Sequence, residues 1–113
     1  MLKTSEIEFI KKRLIDKFNP DKVILFGSRA RMDANNNSDV DLLVITKVSS
    51  SRRKLMVEMD KALTGLNYAR DIIILSAAEF EKDKLIIGTL ARYASREGRV
   101  IYESYDLIKH FQG

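Results

Sequence analysis

Two aspartates are the first residues in this sequence whose type and spacing could do chemistry. Asp39 and Asp41 stand on either side of Val40 at the start of an apolar stretch, and side chains two positions apart on a strand point to the same face. Two carboxylates held this close repel by roughly 4 kcal/mol at an effective dielectric near 20, so such a pair raises one pKa or recruits a cation. Oxygen ligands without a nearby histidine or cysteine suit Mg²⁺ or Mn²⁺. The alternative is a turn residue followed by a polar start of a strand.

A third acid, Asp71, opens the apolar run Ile72 to Leu75. An acid beside such a run is costly to desolvate unless it lies at a strand edge or has a partner. If its strand lies beside the strand that follows Asp39, the three carboxylates converge on one site. The alternative is an edge aspartate paired with Arg70 or another base.

A turn that could hold phosphate precedes the aspartates. Gly27 and Ser28 end a run of β-forming residues, where glycine allows a phosphate to approach the backbone and the start of a helical turn offers free N–H groups. Ser28 adds a hydroxyl donor, and Arg29 and Arg31 could bind phosphate. The alternative is a plain strand-to-helix turn with Ser28 as its cap and two solvated arginines.

Helices and strands alternate around these residues, which predicts a small α/β sheet covered by helices. The Val- and Ile-rich strands are expected to be buried on both faces. The predicted strands are Lys22–Phe26, Val40–Ile45, Asp71–Leu75 and a short extended Val100–Tyr102. The predicted helices begin at a cap on Thr4 or Ser5, at the serine triplet 49–51, and at Ser76, the last with a break near Asp83 and a continuation over Leu85–Arg96. A helical turn is predicted over Arg29–Asp33. The apolar stripe Leu85, Ile86, Thr89, Leu90, Tyr93 and Ala94 is expected to pack in the core, with a partner surface as the second interpretation.

The composition excludes several kinds of site. The 113 residues contain no cysteine and a single histidine, His110, which excludes thiol catalysis, disulfides and cysteine or multi-histidine metal sites within one chain. The N-terminus lacks the apolar core of a signal peptide and no apolar run is long enough for a membrane span, so a cytoplasmic protein without a membrane partner is expected. The net charge of +4 comes from scattered basic residues, and no nucleic-acid partner is expected from it.

Taken together, these motifs resemble the DNA polymerase β-like nucleotidyltransferases. Gly27-Ser28 with Ala30, then Ser38-Asp39-Val40-Asp41-Leu42, then Asp71 before an apolar strand, are similar to the minimal nucleotidyltransferase group, whose pattern runs Gly-Ser-x-Ala-x-Gly, a loop, and Ser-Asp-x-Asp-Leu. Met32 stands where that group has its second glycine. The resemblance extends over nearly the whole chain and implies one nucleotidyltransferase domain over residues 1–113, with a small mixed β-sheet covered by helices.

The resemblance implies a two-metal nucleotidyl transfer from ATP with Mg²⁺, or Mn²⁺, as the cofactor. Asp39 and Asp41 would hold the metals that bridge the triphosphate, and Asp71 would complete the ligands and help to deprotonate the acceptor hydroxyl. The nucleotide would be held by Gly27, Ser28, Arg29 and Arg31.

The resemblance also implies a partner. Minimal nucleotidyltransferases are paired with an all-helical HEPN-domain protein, and the pair resembles a toxin–antitoxin system in which the transferase adds AMP to the toxin. Contacts with this partner are expected around Gly27 to Met32 and along the segment from Leu85 onward. Two alternatives stay open. Met32 could mark a catalytically weak homologue that neutralises its partner by binding alone, or the acceptor could be a small molecule or a nucleic-acid end.

Overall fold

The computed structural model describes residues 2–27, 40–49 and 51–104. Within these ranges the chain forms four helices and four strands. They are α1 (Thr4–Phe18), β1 (Lys22–Phe26), β2 (Val40–Ile45), α2 (Arg52–Ala62), β3 (Arg70–Leu75), α3 (Ala77–Asp83), α4 (Leu90–Glu97) and β4 (Arg99–Glu103). The predicted turn Arg29–Asp33 and His110 lie outside the described residues. No helix in the described ranges is both long and apolar enough to cross a membrane.

The strands form one mixed sheet in the order β3-β2-β1-β4. β1 is antiparallel to both β2 and β4, whereas β2 and β3 run parallel. The prediction of a small mixed sheet covered by helices is therefore confirmed. The order places the end of β1 and the beginnings of β2 and β3 at the same edge of the sheet.

Helices cover the sheet on both faces because alternate residues of the strands are apolar on each face. On the first face, Leu25, Leu42 and Ile72 belong to the cluster that α1 and α2 complete with Leu14 and Met59. On the second face, the cluster contains side chains from the strands and from α3 and α4. Its buried members are Ile24, Phe26, Leu43, Ile45, Phe80, Ala91 and Ala94. Burial on both faces, as predicted, holds for β1 and β2, whereas the edge strand β3 alternates between buried and half-buried residues.

The first helix begins earlier than its predicted cap. Lys3 is the N-cap, and its backbone N–H donates to Glu6 Oε1 at 2.8 Å. Because lysine has no side-chain acceptor, Glu6 rather than Thr4 or Ser5 satisfies the free end of the helix. The helix ends at Phe18, where Asn19 adopts a left-handed conformation with a φ of 46° and Pro20, which cannot continue a helix, follows.

The segment after α3 differs most from its prediction. The break near Asp83 is confirmed, but residues 84–89 form turns and the helix resumes only at Leu90. The expected core stripe is therefore interrupted: Ala94 is buried, whereas Leu85 and Ile86 are exposed. Gly98 is the C-cap of α4, with a φ of −83°, which any residue can adopt. Glycine is therefore needed here for its small size and not for a left-handed backbone. A Cβ there would collide with Ala94 O and Ile24 Cγ2.

An ion pair ties the helices of the two faces together around the edge of β3. Arg52, at the start of α2, donates to Glu79 Oε2 at 2.7 Å and to the main-chain oxygen of Ile74 at 3.1 Å. The other Glu79 oxygen accepts from the N–H of Ser76, the N-cap of α3. These hydrogen bonds lower the pKa of Glu79 to about 2 and raise the pKa of Arg52. The contact also occupies one outward carbonyl of the edge strand, which limits unwanted strand pairing there.

Candidate active site

Asp41 and Asp71 are brought together by the parallel pairing of β2 with β3. They are direct register partners, at the second position of each strand. Both side chains point to the face that α3 and α4 cover, because Leu43 and Ile73, two residues further along each strand, belong to the cluster on that face. Neighbouring strands lie about 4.8 Å apart, so two carboxylates at this register can share one cation. The condition on which the predicted convergence depended, that the strand of Asp71 lies beside the strand of Asp41, is met.

Gly27 completes this edge of the sheet from the other side. It follows Phe26, which is the antiparallel register partner of Asp41. Its φ of 79° lies in the left-handed region that favours glycine, and a Cβ at this position would overlap Asp41 Oδ2. The glycine therefore lets the backbone of the turn lie directly against a carboxylate of the site.

The alternative pairing of Asp71 with Arg70 is wrong. Consecutive strand residues point to opposite faces, and Arg70 turns to α2, where its Nε donates to Asp60 Oδ1 at 2.9 Å. Its other nitrogens donate to the main-chain oxygens of Leu66 and Asp60 at 3.1 and 3.3 Å. The Arg70 side chain is only 14% exposed. It therefore fixes the connection between α2 and β3, and with it the strand position from which Asp71 projects.

Asp71 itself is open to solvent. Its residue is exposed, and within the described residues it forms no ion pair. A groove of about 390 Å³ between α2 and the edge of β3 lies on the other face, to which Arg70 turns, and does not define the surroundings of the Asp71 carboxylate. An exposed carboxylate at the sheet edge can meet a ligand that approaches from outside the sheet.

The arrangement fits a hard cation. Two charges about 5 Å apart repel by about 1 kcal/mol in water and about 3 kcal/mol at an effective dielectric of 20, and an ion between them removes this repulsion. The donors are carboxylate oxygens, which Mg²⁺ and Mn²⁺ prefer. No third acid, histidine or cysteine joins Asp41 and Asp71 within the described ranges. Asp39, the predicted third ligand, lies outside those ranges, as do Ser28, Arg29 and Arg31.

Two features of this site were missed by sequence reasoning. One is the contact of Gly27 with Asp41, for which the only signal was a glycine directly after a strand. The other is the role of Arg70, which the sequence offered only as a partner for its neighbour. The first depends on the pairing of β1 with β2, and the second on the packing of α2 against the start of β3, neither of which residue spacing alone determines.

Comparison with known proteins assigns the fold and the family. A family model described as polymerase beta nucleotidyltransferase matches residues 8–106, which include Gly27, Asp41 and Asp71. The chain belongs to this nucleotidyltransferase family. A search of curated proteins found no significant match.

Several solved structures share the polymerase β-type fold at low sequence identity. A crystal structure of a toxin–antitoxin with AMP-PNP aligns over 94% of this chain and 84% of that chain, with a TM-score of 0.62 and 16% identity. The toxin–antitoxin MntA-HepT aligns over 97% of this chain and 85% of that chain, with a TM-score of 0.57 and 15% identity. Spectinomycin adenyltransferase AAD(9) from Enterococcus faecialis, solved with ATP and spectinomycin, aligns over 96% of this chain and 59% of that chain, with a TM-score of 0.58 and 15% identity. At these identities the likeness establishes the fold.

Proposed function

We propose that this chain is a nucleotidyltransferase that moves AMP from ATP to a hydroxyl group of a partner protein, and that it acts in this way as the antitoxin of a HEPN-type toxin. The observation that carries the proposal is the pairing of Asp41 with Asp71 on one face, with Gly27 packed against Asp41. A purely structural sheet edge has no need of two facing carboxylates, because their repulsion opposes folding. Membership of the nucleotidyltransferase family gives this site its reaction class.

The site divides into a metal-holding part and a phosphate-holding part. Asp41 and Asp71, together with Asp39, would hold Mg²⁺, which when bound neutralises the triphosphate and the charge that develops on the leaving group. The turn at Gly27 would hold the β- and γ-phosphates through its backbone N–H groups. The side chains proposed to assist it are Ser28, Arg29 and Arg31.

The transfer itself is a displacement at the α-phosphorus of ATP. Asp71 accepts the proton of the acceptor hydroxyl, whose oxygen forms a bond to the α-phosphorus. The bond from that phosphorus to the oxygen bridging to the β-phosphate breaks, and pyrophosphate leaves with that oxygen. The exposed position of Asp71 at the edge of the sheet supports this role, because the hydroxyl of a macromolecular acceptor must reach the base from outside.

The proposal of a toxin partner is supported by fold neighbours that are toxin–antitoxin structures, one of them with AMP-PNP. In AAD(9) the same fold occurs in a small-molecule adenyltransferase, and this chain spans 59% of that protein. The two kinds of acceptor are distinguished by experiment.

The decisive experiment offers the chain both kinds of acceptor. The product of the adjacent open reading frame and, separately, spectinomycin are incubated with the chain, ATP and Mg²⁺, and the products are analysed by intact mass. We expect one or more AMP groups on the protein acceptor. Asp71→Asn should abolish the transfer because the amide neither accepts the proton nor supplies a charged ligand, and Asp41→Asn should abolish it through the loss of a ligand charge.

A matched control is available on α1. Asp16→Asn makes the same chemical change at a surface carboxylate that pairs with Lys12 on α1, away from the site, and should leave the transfer at the parent rate. AMP on spectinomycin instead would move the chain to the small-molecule class. A stable complex without added mass would favour neutralisation by binding, the role that the substitution of glycine by Met32 suggests.

A further inference from the structure

Three consecutive aliphatic side chains project from the connection between α3 and α4. Leu85, Ile86 and Ile87, here called the aliphatic turn, are 73%, 46% and 84% exposed. Leu90 and Tyr93, on the first turns of α4, extend the same apolar surface at 36% each. Scattered exposed apolar residues are common on proteins, but a contiguous group of this kind marks an interaction surface.

The aliphatic turn is held in a defined shape. The Thr89 hydroxyl lies 2.7 Å from the main-chain oxygen of Asp83 and 2.9 Å from that of Ile86, and it accepts the N–H of Arg92 as the cap of α4. Gly88 supplies the positive φ of 93° that the reversal requires. A surface that is already ordered loses little entropy when a partner covers it, which favours a docking role.

The charges beside this surface select the partner. Two of the three acids of α3 are used within the chain, since Glu79 pairs with Arg52 and Glu81 with Lys84. Asp83 and, on α4, Glu97 form no ion pair with a described residue. Three arginines of α4 and β4 likewise form no ion pair with any residue that the structure describes, and they outnumber these two acids. They are Arg92, Arg96 and Arg99. The remaining positive charge is complementary to a partner surface that carries carboxylates.

The surface is also connected to the active site. The Tyr93 ring contacts the Phe26 ring edge to face, with centroids 6.2 Å apart. Phe26 directly precedes Gly27 and is the register partner of Asp41. One helix therefore joins the aliphatic turn to the strand end where the acids lie, so a protein docked on the turn is held beside the site.

We propose that the aliphatic turn, with Leu90 and Tyr93, is the docking surface for the protein acceptor, and that the acceptor covers it with an apolar cleft bordered by carboxylates. This inference rests on the proposed function for the identity of the acceptor. It adds a binding surface outside the nucleotide site. The cleft gives affinity, and the arginines speed association at low salt.

The test compares a carboxylate inserted in the aliphatic turn with one inserted elsewhere on the surface. Ile87→Asp places it at an 84%-exposed position of the turn, and Ser5→Asp makes the same change in net charge at an exposed position of α1. Binding of the purified product of the adjacent open reading frame is measured by titration calorimetry at two salt concentrations. We expect Ile87→Asp to weaken binding at least tenfold and Ser5→Asp to leave it unchanged.

A second pair of variants tests the charges. Arg96→Glu should slow association and reduce its salt dependence, whereas Lys12→Glu, with the same change in net charge on α1, should do neither. Equal binding by Ile87→Asp and the parent chain would overturn the proposal. A loss of folding stability in isolated Ile87→Asp would also overturn the proposal, because it would show that the chain itself covers the turn. A dimer of the parent chain that Ile87→Asp dissociates would assign the surface to a second copy of the chain instead.

The two proposals fail in different ways. If the complex forms and depends on Ile87 but no AMP is transferred, the docking surface stands and the transferase proposal fails. If AMP is transferred but Ile87→Asp has no effect on binding or on transfer, the reverse holds. Absence of any complex with the parent chain refutes both the partner and its docking surface.

Discussion

The contact between Gly27 and Asp41 allows a quantitative prediction for Gly27→Ala. Two separate costs are expected. An L-residue in the left-handed region costs about 1–2 kcal/mol, and crowding a methyl group into a filled position costs about 1–3 kcal/mol. The new Cβ would overlap Asp41 Oδ2 and lie 3.3 Å from its Cγ, so the carboxylate or the turn must move.

A second glycine separates the two costs. Gly88 also has a positive φ, at 93°, but nothing lies within 4 Å of the position that a Cβ would occupy. Gly88→Ala should therefore show the backbone cost without the collision. Since unfolding entropy scales at about 2.1 cal/mol/K per residue, each kcal/mol should lower the Tm of this 113-residue chain by about 4 °C. We expect a drop of about 4–8 °C for Gly88→Ala and a larger one for Gly27→Ala.

The collision is then tested by a double-mutant cycle in urea unfolding, followed by circular dichroism. In Asp41→Ala the carboxylate is gone, and the remaining Cβ would lie 3.6 Å from a Cβ at position 27, which is an ordinary contact. Gly27→Ala should therefore cost less in the Asp41→Ala background, by about 1–3 kcal/mol. Effects that add to within about 0.5 kcal/mol would refute the reasoning, because independent sites behave in that way.

Three further predictions concern the residues that support the site. The ion pair with Arg52 lowers the pKa of Glu79 from its ordinary 4.5 to about 2. The stabilisation from this ion pair is therefore present above pH 4.5 and is lost as the pH falls towards 2. The Tm difference between the parent chain and Glu79→Gln should shrink over that interval, and a constant difference would contradict the assignment. Arg70→Lys should lower the free energy of unfolding by about 1.5–3 kcal/mol in urea titrations, because one ammonium cannot reproduce the guanidinium contacts with Asp60 and the main chain. Parent-like stability would show that these contacts do not hold α2 against β3. Leu43→Ala should cost about 2–5 kcal/mol by the same measurement, since Leu43 is fully buried between β2 and the helices of the second face; a cost below 1 kcal/mol would place it outside the core.

The parts of the fold that local signals determine were predictable. β1 and β2 have their predicted limits because Pro20 and Gly27 bracket β1 and a polar pair precedes β2. The break after Asp83 was also visible. The return to helix was not, because the apolar spacing from Leu85 continued through a turn that Gly88 and Thr89 close.

The site was predictable in its residue types but not in its geometry. The spacing of Asp39 and Asp41 places both on one face of any strand. The approach of Asp71 required in addition that β3 lie directly beside β2, which the sequence alone does not determine. A one-residue shift between β2 and β3 would have moved Asp71 to the opposite face. The parallel register is set by the apolar residues that follow each acid, Leu42 and Leu43 against Ile72 and Ile73, and these are buried by helices from distant parts of the chain.

This dependence explains how the chain can hold two like charges at one edge. Beyond Asp41 and Asp71, the two strands continue through four further register pairs, and every one of those residues belongs to or packs against one of the two cores. Full burial of one such aliphatic side chain contributes about 1.5–3 kcal/mol, which is comparable to the whole repulsion between the carboxylates. The pairing of these apolar residues therefore fixes the register without a bound cation. Under the proposed function, a site preorganised in this way would need little reorganisation when nucleotide and metal bind, which is the condition for positioning a reacting phosphate.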